Sequence, residues 1–263
     1  MVTVKEIFDF LQEKAPFEYQ AGFDNSGFLV GKWGRGVKKV LVSLDITEEV
    51  ADEADRWGAD LIVSHHPVIF HPVKSVTDET ATGRILIQLL ECGIAAICAH
   101  TNLDAVAEGV NDALARALGL EEVGQLHQEG VDEQGRPYGI GRVGTVKEQS
   151  LSAFAAFVKD ALGSNGVRFT DGGKLVRKVA VGGGACADMM GDAIALGCDT
   201  FVTADVKYNG FLDAKALGLN LIDAGHFPTE NVVCPVLEGW LRERFPEVEV
   251  RRSAVHREVF DYL

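Results

Sequence analysis

No window of the sequence approaches the roughly 18 consecutive apolar residues that a membrane-spanning helix needs. The opening residues, Met1-Val2-Thr3-Val4-Lys5-Glu6, bring an acidic side chain early and no apolar run before a small-residue cleavage site. No secretory leader is expected there, and the cytoplasm is the expected location. There is no CxxC pair, and the count of five cysteines is odd. Most lie among apolar neighbours, as Cys98 does in Ala95-Ala96-Ile97-Cys98-Ala99, and they are expected to be buried reduced thiols without a catalytic part. Basic residues are outnumbered, 25 Lys and Arg against 39 Asp and Glu, for a net charge of −14. The basic surface that binds nucleic acid or anionic membrane is therefore scarce, and neither is an expected partner. No block of like charges reads as an acidic tail or a basic arm.

What is present is the composition of an ordinary globular protein. Its 263 residues, 47% hydrophobic and 24% charged, suffice for a substantial core in one large or two modest domains. Apolar residues recur at helical spacing over 3–14, where Thr3 and Glu6 predict a capping box. Phe23-Asp24-Asn25-Ser26-Gly27 reads as a turn before a short strand, Phe28 to Gly31. Strands and helices then alternate: strands over 39–45, 60–64 and 94–99, helices over 48–57, 83–92 and 109–118. This rhythm predicts a parallel sheet with both faces covered. Residues 127–146 are polar and turn-rich and read as a hairpin or exposed excursion, followed by a helix over 150–162.

The second half repeats the first. Lys178-Val179-Ala180-Val181 matches Lys39-Val40-Leu41-Val42, and the same offset aligns Gly197 with Gly58, Asp199 with Asp60 and Thr203 with Ser64. A second match, at another offset, sets Gly218 to Gly225 beside Gly93 to His100. The expected architecture is α/β, with two related lobes over residues 1–124 and 125–263, mostly parallel sheets, and interlinked lobes.

Ligands of open parallel sheets bind beyond the carboxyl ends of the strands. Those ends carry Asp45, then His65 and His66, then His100 and Asp104; in the second half, Gly182-Gly183-Gly184, Asp205, and Asp223 to His226. Two adjacent histidines closing an apolar strand are hard to place in a core, because strand side chains alternate between faces. Pro67 biases His66 toward an extended conformation, so both rings can turn to one point. His226 and Glu230 stand four apart around Pro228, a residue favoured in a first helical turn. His100 reads equally as a ligand or as a hydrogen-bonding partner behind one, and Asp45 as a residue behind the ligands or a simple turn aspartate. His71, His127 and His256 lack strand-end placement and stay outside the ligand set. Three histidines and two carboxylates exceed the needs of one ion and suit two. Mixed imidazole and carboxylate donors admit zinc, iron, manganese or nickel. The Gly182-Gly183-Gly184 turn lacks the spacing and lysine of a nucleotide loop and reads as tight strand-to-helix packing.

At Asp24 to Gly31, Ser64 to Phe70, Ala99 to Asp104, Gly182 to Gly184 and Gly225 to Glu230 the sequence strongly resembles the Nif-three-like family, the dinuclear-metal proteins often labelled GTP cyclohydrolase I type 2 homologues. The match runs almost end to end. The resemblance implies His65, His66, Asp104, His226 and Glu230 as ligands of two divalent ions, with Asp104 and Glu230 bridging. His100, Asp45 and Thr101 then become candidates for catalytic or supporting roles. It also implies two lobes with the metals between them, a toroidal homohexamer, and a metal-dependent hydrolase with a metal-bound water as nucleophile and a small-molecule substrate the sequence does not name. No organic cofactor is implied. Longer members carry a domain inserted in the middle, and nothing that depends on it transfers to a chain with only the short 127–146 stretch. A non-catalytic metal-binding ring or adaptor that contacts macromolecules is the alternative reading.

Overall fold

The computed structural model describes residues 1–263. In chain order its strands are β1 (Gly27–Val30), β2 (Lys39–Ser43), β3 (Leu61–Ser64), β4 (Ala95–Cys98), β5 (Glu121–Gln125), β6 (Gly130–Val131), β7 (Pro137–Tyr138), β8 (Arg142–Gln149), β9 (Arg168–Thr170), β10 (Val176–Val181), β11 (Thr200–Thr203), β12 (Asn220–Asp223) and β13 (Glu249–Arg252). The chain forms two compact units, residues 1–103 with 234–257, and residues 104–233 with 258–263.

The first unit is built on a five-stranded sheet ordered β1-β4-β3-β2-β13. All pairs are parallel except β1 with β4. Side chains of β2, β3 and β4 are almost wholly buried, as expected of strands covered on both faces. Leu41, Ile62 and Ala96 pack with Val50 and Ala54 of helix Glu48–Trp57 and with Leu86 and Leu89 of helix Ala81–Cys92. The predicted capping box closes the first helix, Val4–Lys14: Glu6 donates its N–H to Thr3 Oγ1, and Thr3 donates to Glu6 Oε2. Since β2, β3 and β4 run parallel, Asp45, His65, His66 and His100 all emerge at one edge of this sheet.

The second unit has a six-stranded sheet ordered β5-β8-β10-β11-β12-β9 and a separate β6-β7 ribbon. Its β10, β11 and β12 are parallel, and its flanking strands are antiparallel. Alternation along β10 sends Val179 and Val181 to one core, with Phe154 and Ile222, and Ala180 to another, with Phe201 and Leu221.

The repeat is visible in atomic detail. Asp60 Oδ2 accepts the amides of Lys38 and Lys39, and Asp199 Oδ2 accepts those of Arg177 and Lys178. The ammonium of Lys39 caps the Trp57 carbonyl, and that of Lys178 the Leu196 carbonyl. Gly58 and Gly197 end the preceding helices with φ of 72° and 73°, a left-handed conformation that glycine adopts without a Cβ penalty. The second match holds as well: Ala99 donates to Ser64, and Ala224 to Thr203, at equivalent strand ends.

Two expectations need correction. The units do not divide at residue 124: β13 lies parallel beside β2 and completes the first sheet, and residues from 104 on are tied into the second unit. There the buried Arg142 pairs with Asp112 at 2.6 Å and donates to the Val106 carbonyl, while Gly183 donates to Asn111. The 127–146 excursion shrinks to the β6-β7 hairpin, because 142–149 is a sheet strand paired with β10. The expected parallel strands form the centre of each sheet, and antiparallel strands flank them.

The equivalence of the two aspartates gives a test. Asp60→Ala and Asp199→Ala should each lower unfolding free energy by about 1.5–3 kcal/mol, the usual loss for hydrogen bonds to a charged group. Denaturant melts measure this, and a negligible change in either variant would contradict the shared role.

Candidate metal centre

The first unit gathers His65, His66 and His100. Their ring centroids lie 5.0 to 5.3 Å apart, and one donor nitrogen from each falls within 4.8 Å of the others. Every Nδ1 has an oxygen partner. His65 Nδ1 lies 2.8 Å from the Ala99 carbonyl, His66 Nδ1 2.7 Å from Asp45 Oδ1, and His100 Nδ1 2.8 Å from Asp24 Oδ1. An oxygen acceptor at Nδ1 places the proton there and the lone pair on Nε2, the tautomer that ligates a metal.

Asp24 is the most heavily bonded of these supports. Its side chain has 0% exposure. Oδ2 accepts from Thr101 Oγ1 at 2.6 Å, from the Thr101 amide at 3.1 Å and from Ser26 Oγ at 2.8 Å. Burial alone would raise its pKa. The hydrogen bonds from His100 and Thr101, the charge of His100 and the Ser26 hydroxyl outweigh burial and hold the carboxyl well below the usual range. Thr101 thus acts by fixing Asp24 and opens helix Thr101–Ala105, which also carries Asp104.

The second unit gathers Asp104, His226 and Glu230. His226 and Glu230 are the first and last residues of helix His226–Glu230, so their spacing puts them on one face. His226 Nε2 is 2.9 Å from Glu230 Oε2, and carboxylate oxygens of Asp104 and Glu230 lie within 4.8 Å. His226 Nδ1 lies 2.7 Å from Asp205 Oδ2, repeating the arrangement of His66 on Asp45. Asp205 has a φ of 53°, unusual for a residue with a Cβ.

The glycine turn serves packing. Gly183 donates to Asn111 Oδ1 and Gly184 to Thr229 Oγ1, both at 3.0 Å, so these amides already have acceptors other than a phosphate. A Cβ on Gly184 would fall 2.1 Å from Glu230 Oε1 and 3.2 Å from His226 Cε1. Cys186, half-buried nearby, has its thiol pushed up by desolvation and by Asp104, Glu230 and Asp188.

The donor chemistry fits divalent metal: imidazoles set to present Nε2 in one unit, an imidazole and two carboxylates in the other. His71 packs on Phe70, and His127 pairs with Asp192 at 3.0 Å, away from these groups. Two supports escaped the sequence reading in part or whole. Asp24 reads as a turn residue, and only its place in a family motif marks it. His256 lies close to Asp45, and nothing local in the sequence signals that.

Two outcomes follow from this geometry. Gly184→Ala should weaken metal uptake at least about tenfold, since the flexible Glu230 carboxylate, not the backbone, gives way. It should also cost about 1–2 kcal/mol for the left-handed backbone. Chelator competition and thermal melts measure the two, and unaltered metal affinity would contradict the packing. Asp24→Asn should destabilise the protein at neutral pH. Because the folded carboxyl has a depressed pKa, its contribution is present above the unfolded value of about 3.9 and fades as pH falls below it. The gap between the two proteins should therefore narrow steadily as pH falls below that value, and a gap that stays constant through the acid range would contradict the assignment.

Comparison with known proteins agrees over the full length. The profile of the Duf34/NIF3 (NGG1p interacting factor 3) family matches residues 2–258. A Clostridium perfringens protein named GTP cyclohydrolase 1 type 2 homolog is 35% identical over 265 residues, covering 100% of both chains. One of the same name from Streptomyces coelicolor is 37% identical over 238 residues, 88% of this chain and 82% of its own. Among solved structures, a Bacillus cereus protein related to NIF3 superposes with a TM-score of 0.94 at 27% identity, over 100% of this chain and 99% of that one. Reduced HcgD from Methanocaldococcus jannaschii superposes with a TM-score of 0.80 at 28% identity, over 95% and 97%. With its fold, its motifs and its whole length in register with these proteins, the chain belongs to the Duf34/NIF3 family.

Proposed function

We propose that the protein binds two divalent metal ions through His65, His66, Asp104, His226 and Glu230 and acts as a metal-dependent hydrolase. The observation that carries this reading is the oxygen partner at Nδ1 of each imidazole, which leaves the lone pair of His65, His66 and His100 on Nε2, while Nε2 of His226 faces the Glu230 carboxylate at 2.9 Å. The name shared by the curated relatives, GTP cyclohydrolase 1 type 2 homolog, supports a hydrolytic reaction class. Bound divalent ions would supply Lewis acidity and make water a nucleophile at neutral pH.

The remaining chemistry belongs to the chain. Asp104 and Glu230 would supply the carboxylate ligands of the ions. His65 and His66 would bind through Nε2, with the Ala99 carbonyl and Asp45 fixing their rings. His100, held at Nδ1 by Asp24, is the group set to move a proton at Nε2 during turnover. Asp24, Asp45 and Asp205 orient imidazoles and do not bind metal themselves. The resemblance to the family also supports a homohexamer, for which light scattering should give six times the 28.4 kDa chain mass.

The test loads the protein with zinc, manganese, iron or nickel and assays nucleotides and phosphoesters. His65→Ala should lose bound metal and turnover together. His100→Ala should keep its metal while turnover falls by about 10²–10⁴-fold, the usual contribution of a general acid or base. Turnover unchanged in His65→Ala would overturn the assignment.

A further inference from the structure

Asp45 is shared by two histidines. Its Oδ1 accepts from His66 Nδ1 at 2.7 Å, and its Oδ2 lies 2.9 Å from His256 Nε2. The same His256 nitrogen is 3.2 Å from the main-chain nitrogen of Asp45. One nitrogen serves only one of these. If unprotonated, it would accept from the amide and set its lone pair against a carboxylate oxygen at 2.9 Å. Protonated, it donates to the carboxylate, the shorter and charge-assisted contact, and this is the tautomer the distances favour. The His256 side chain is 6% exposed, whereas that of Asp45 is 40% exposed. A carboxylate open to water can turn among rotamers, and a donor fixed on Oδ2 holds the direction of Oδ1.

The fold explains how a residue near the chain's end reaches the first strand-end loop. Strand β13 pairs in parallel with β2, Arg252 opposite Val42, and Ser253 continues the ladder by donating to the Val42 carbonyl at 2.8 Å. Parallel neighbours end at one edge, so the segment after β13 arrives beside the segment after β2. It is then pinned. Ser253 Oγ donates to Glu53 Oε2 at 2.5 Å, and the Ala254 amide donates to the same carboxylate. The His256 amide donates to Ser253 Oγ at 3.1 Å. Glu53, itself buried, stands on helix Glu48–Trp57.

We infer that His256 is a positioning residue: through Asp45 it locks His66 in the orientation that presents Nε2, which makes the C-terminal strand and its following turn a working part of the histidine cluster. The locking of the ring stands on the geometry alone, and only its effect on metal rests on the proposed function.

The test uses the whole chain in metal-free and cobalt-loaded forms, with His256→Gln as the conservative variant that retains a donor at the position of Nε2, and His256→Ala. In two-bond ¹H–¹⁵N spectra of the metal-free protein, the parent and His256→Gln should show His66 as one Nδ1–H tautomer. His256→Ala should show exchange-averaged shifts. On cobalt(II) titration monitored by its visible absorption, His256→Ala should bind about tenfold more weakly, within the range lost with outer-layer partners of metal ligands, and His256→Gln within about threefold of the parent. A His66 tautomer that stays locked in His256→Ala overturns the inference, as does an equal loss of affinity in both variants. A parent protein that takes up no cobalt overturns the metal reading, and the tautomer spectra then still decide the positioning role.

Discussion

An imidazole can bind a metal only with a lone pair on the correct nitrogen and its ring held in place, and the structure meets that constraint with oxygen partners at Nδ1. Asp45, Asp24 and Asp205 and one carbonyl, that of Ala99, each hold a candidate histidine. These partners are set by the fold: Asp45 and the Ala99 carbonyl at strand ends of the first sheet, Asp24 in the turn ahead of its edge strand. The constraint also explains why so much polar machinery is concentrated there, beyond the apolar central strands of the first sheet. Asp24 alone engages His100, Thr101 and Ser26.

The two units show how a repeated frame supports different chemistry. Asp60 and Asp199, Lys39 and Lys178, and Gly58 and Gly197 perform the same local tasks in each. The strand ends then diverge. Where the first unit has His65 and His66, the second has Ala204 and Asp205; where it has His100, the second has Gly225. Asp205 does for His226 what Asp45 does for His66, from the position equivalent to His66 itself. The logic of carboxylate and imidazole is retained while the residues carrying it have exchanged places.

Much of this was legible in the sequence. The strand ends were readable because parallel strands are short apolar runs closed by glycine-marked helices, so His65, His66, His100, Asp104, His226 and Glu230 stood out by position. The flanking strands were not. The β5 residues, Glu121 to Gln125, are mostly exposed and lack the apolar alternation of a strand, and β13 joins the first sheet through a contact more than 200 residues away in sequence, which periodicity does not carry. Asp24 looked like a turn aspartate because it is one, and its second task depends on tertiary contacts with His100 and Thr101. His256 has no strand-end placement legible in the sequence, yet it follows β13 at the edge where β2 ends.

The central claim is that oriented imidazoles bind divalent metal through Nε2. Anomalous scattering from crystals of the metal-loaded protein tests it most directly, since it fixes both the number of ions and the nitrogen that each histidine uses. Two ions are expected, with Nε2 of His65, His66 and His226 as ligands and Nδ1 still on its oxygen partner. Ligation through Nδ1, with the bonds to Asp45 and Asp205 broken, or no ion at these residues, would contradict it.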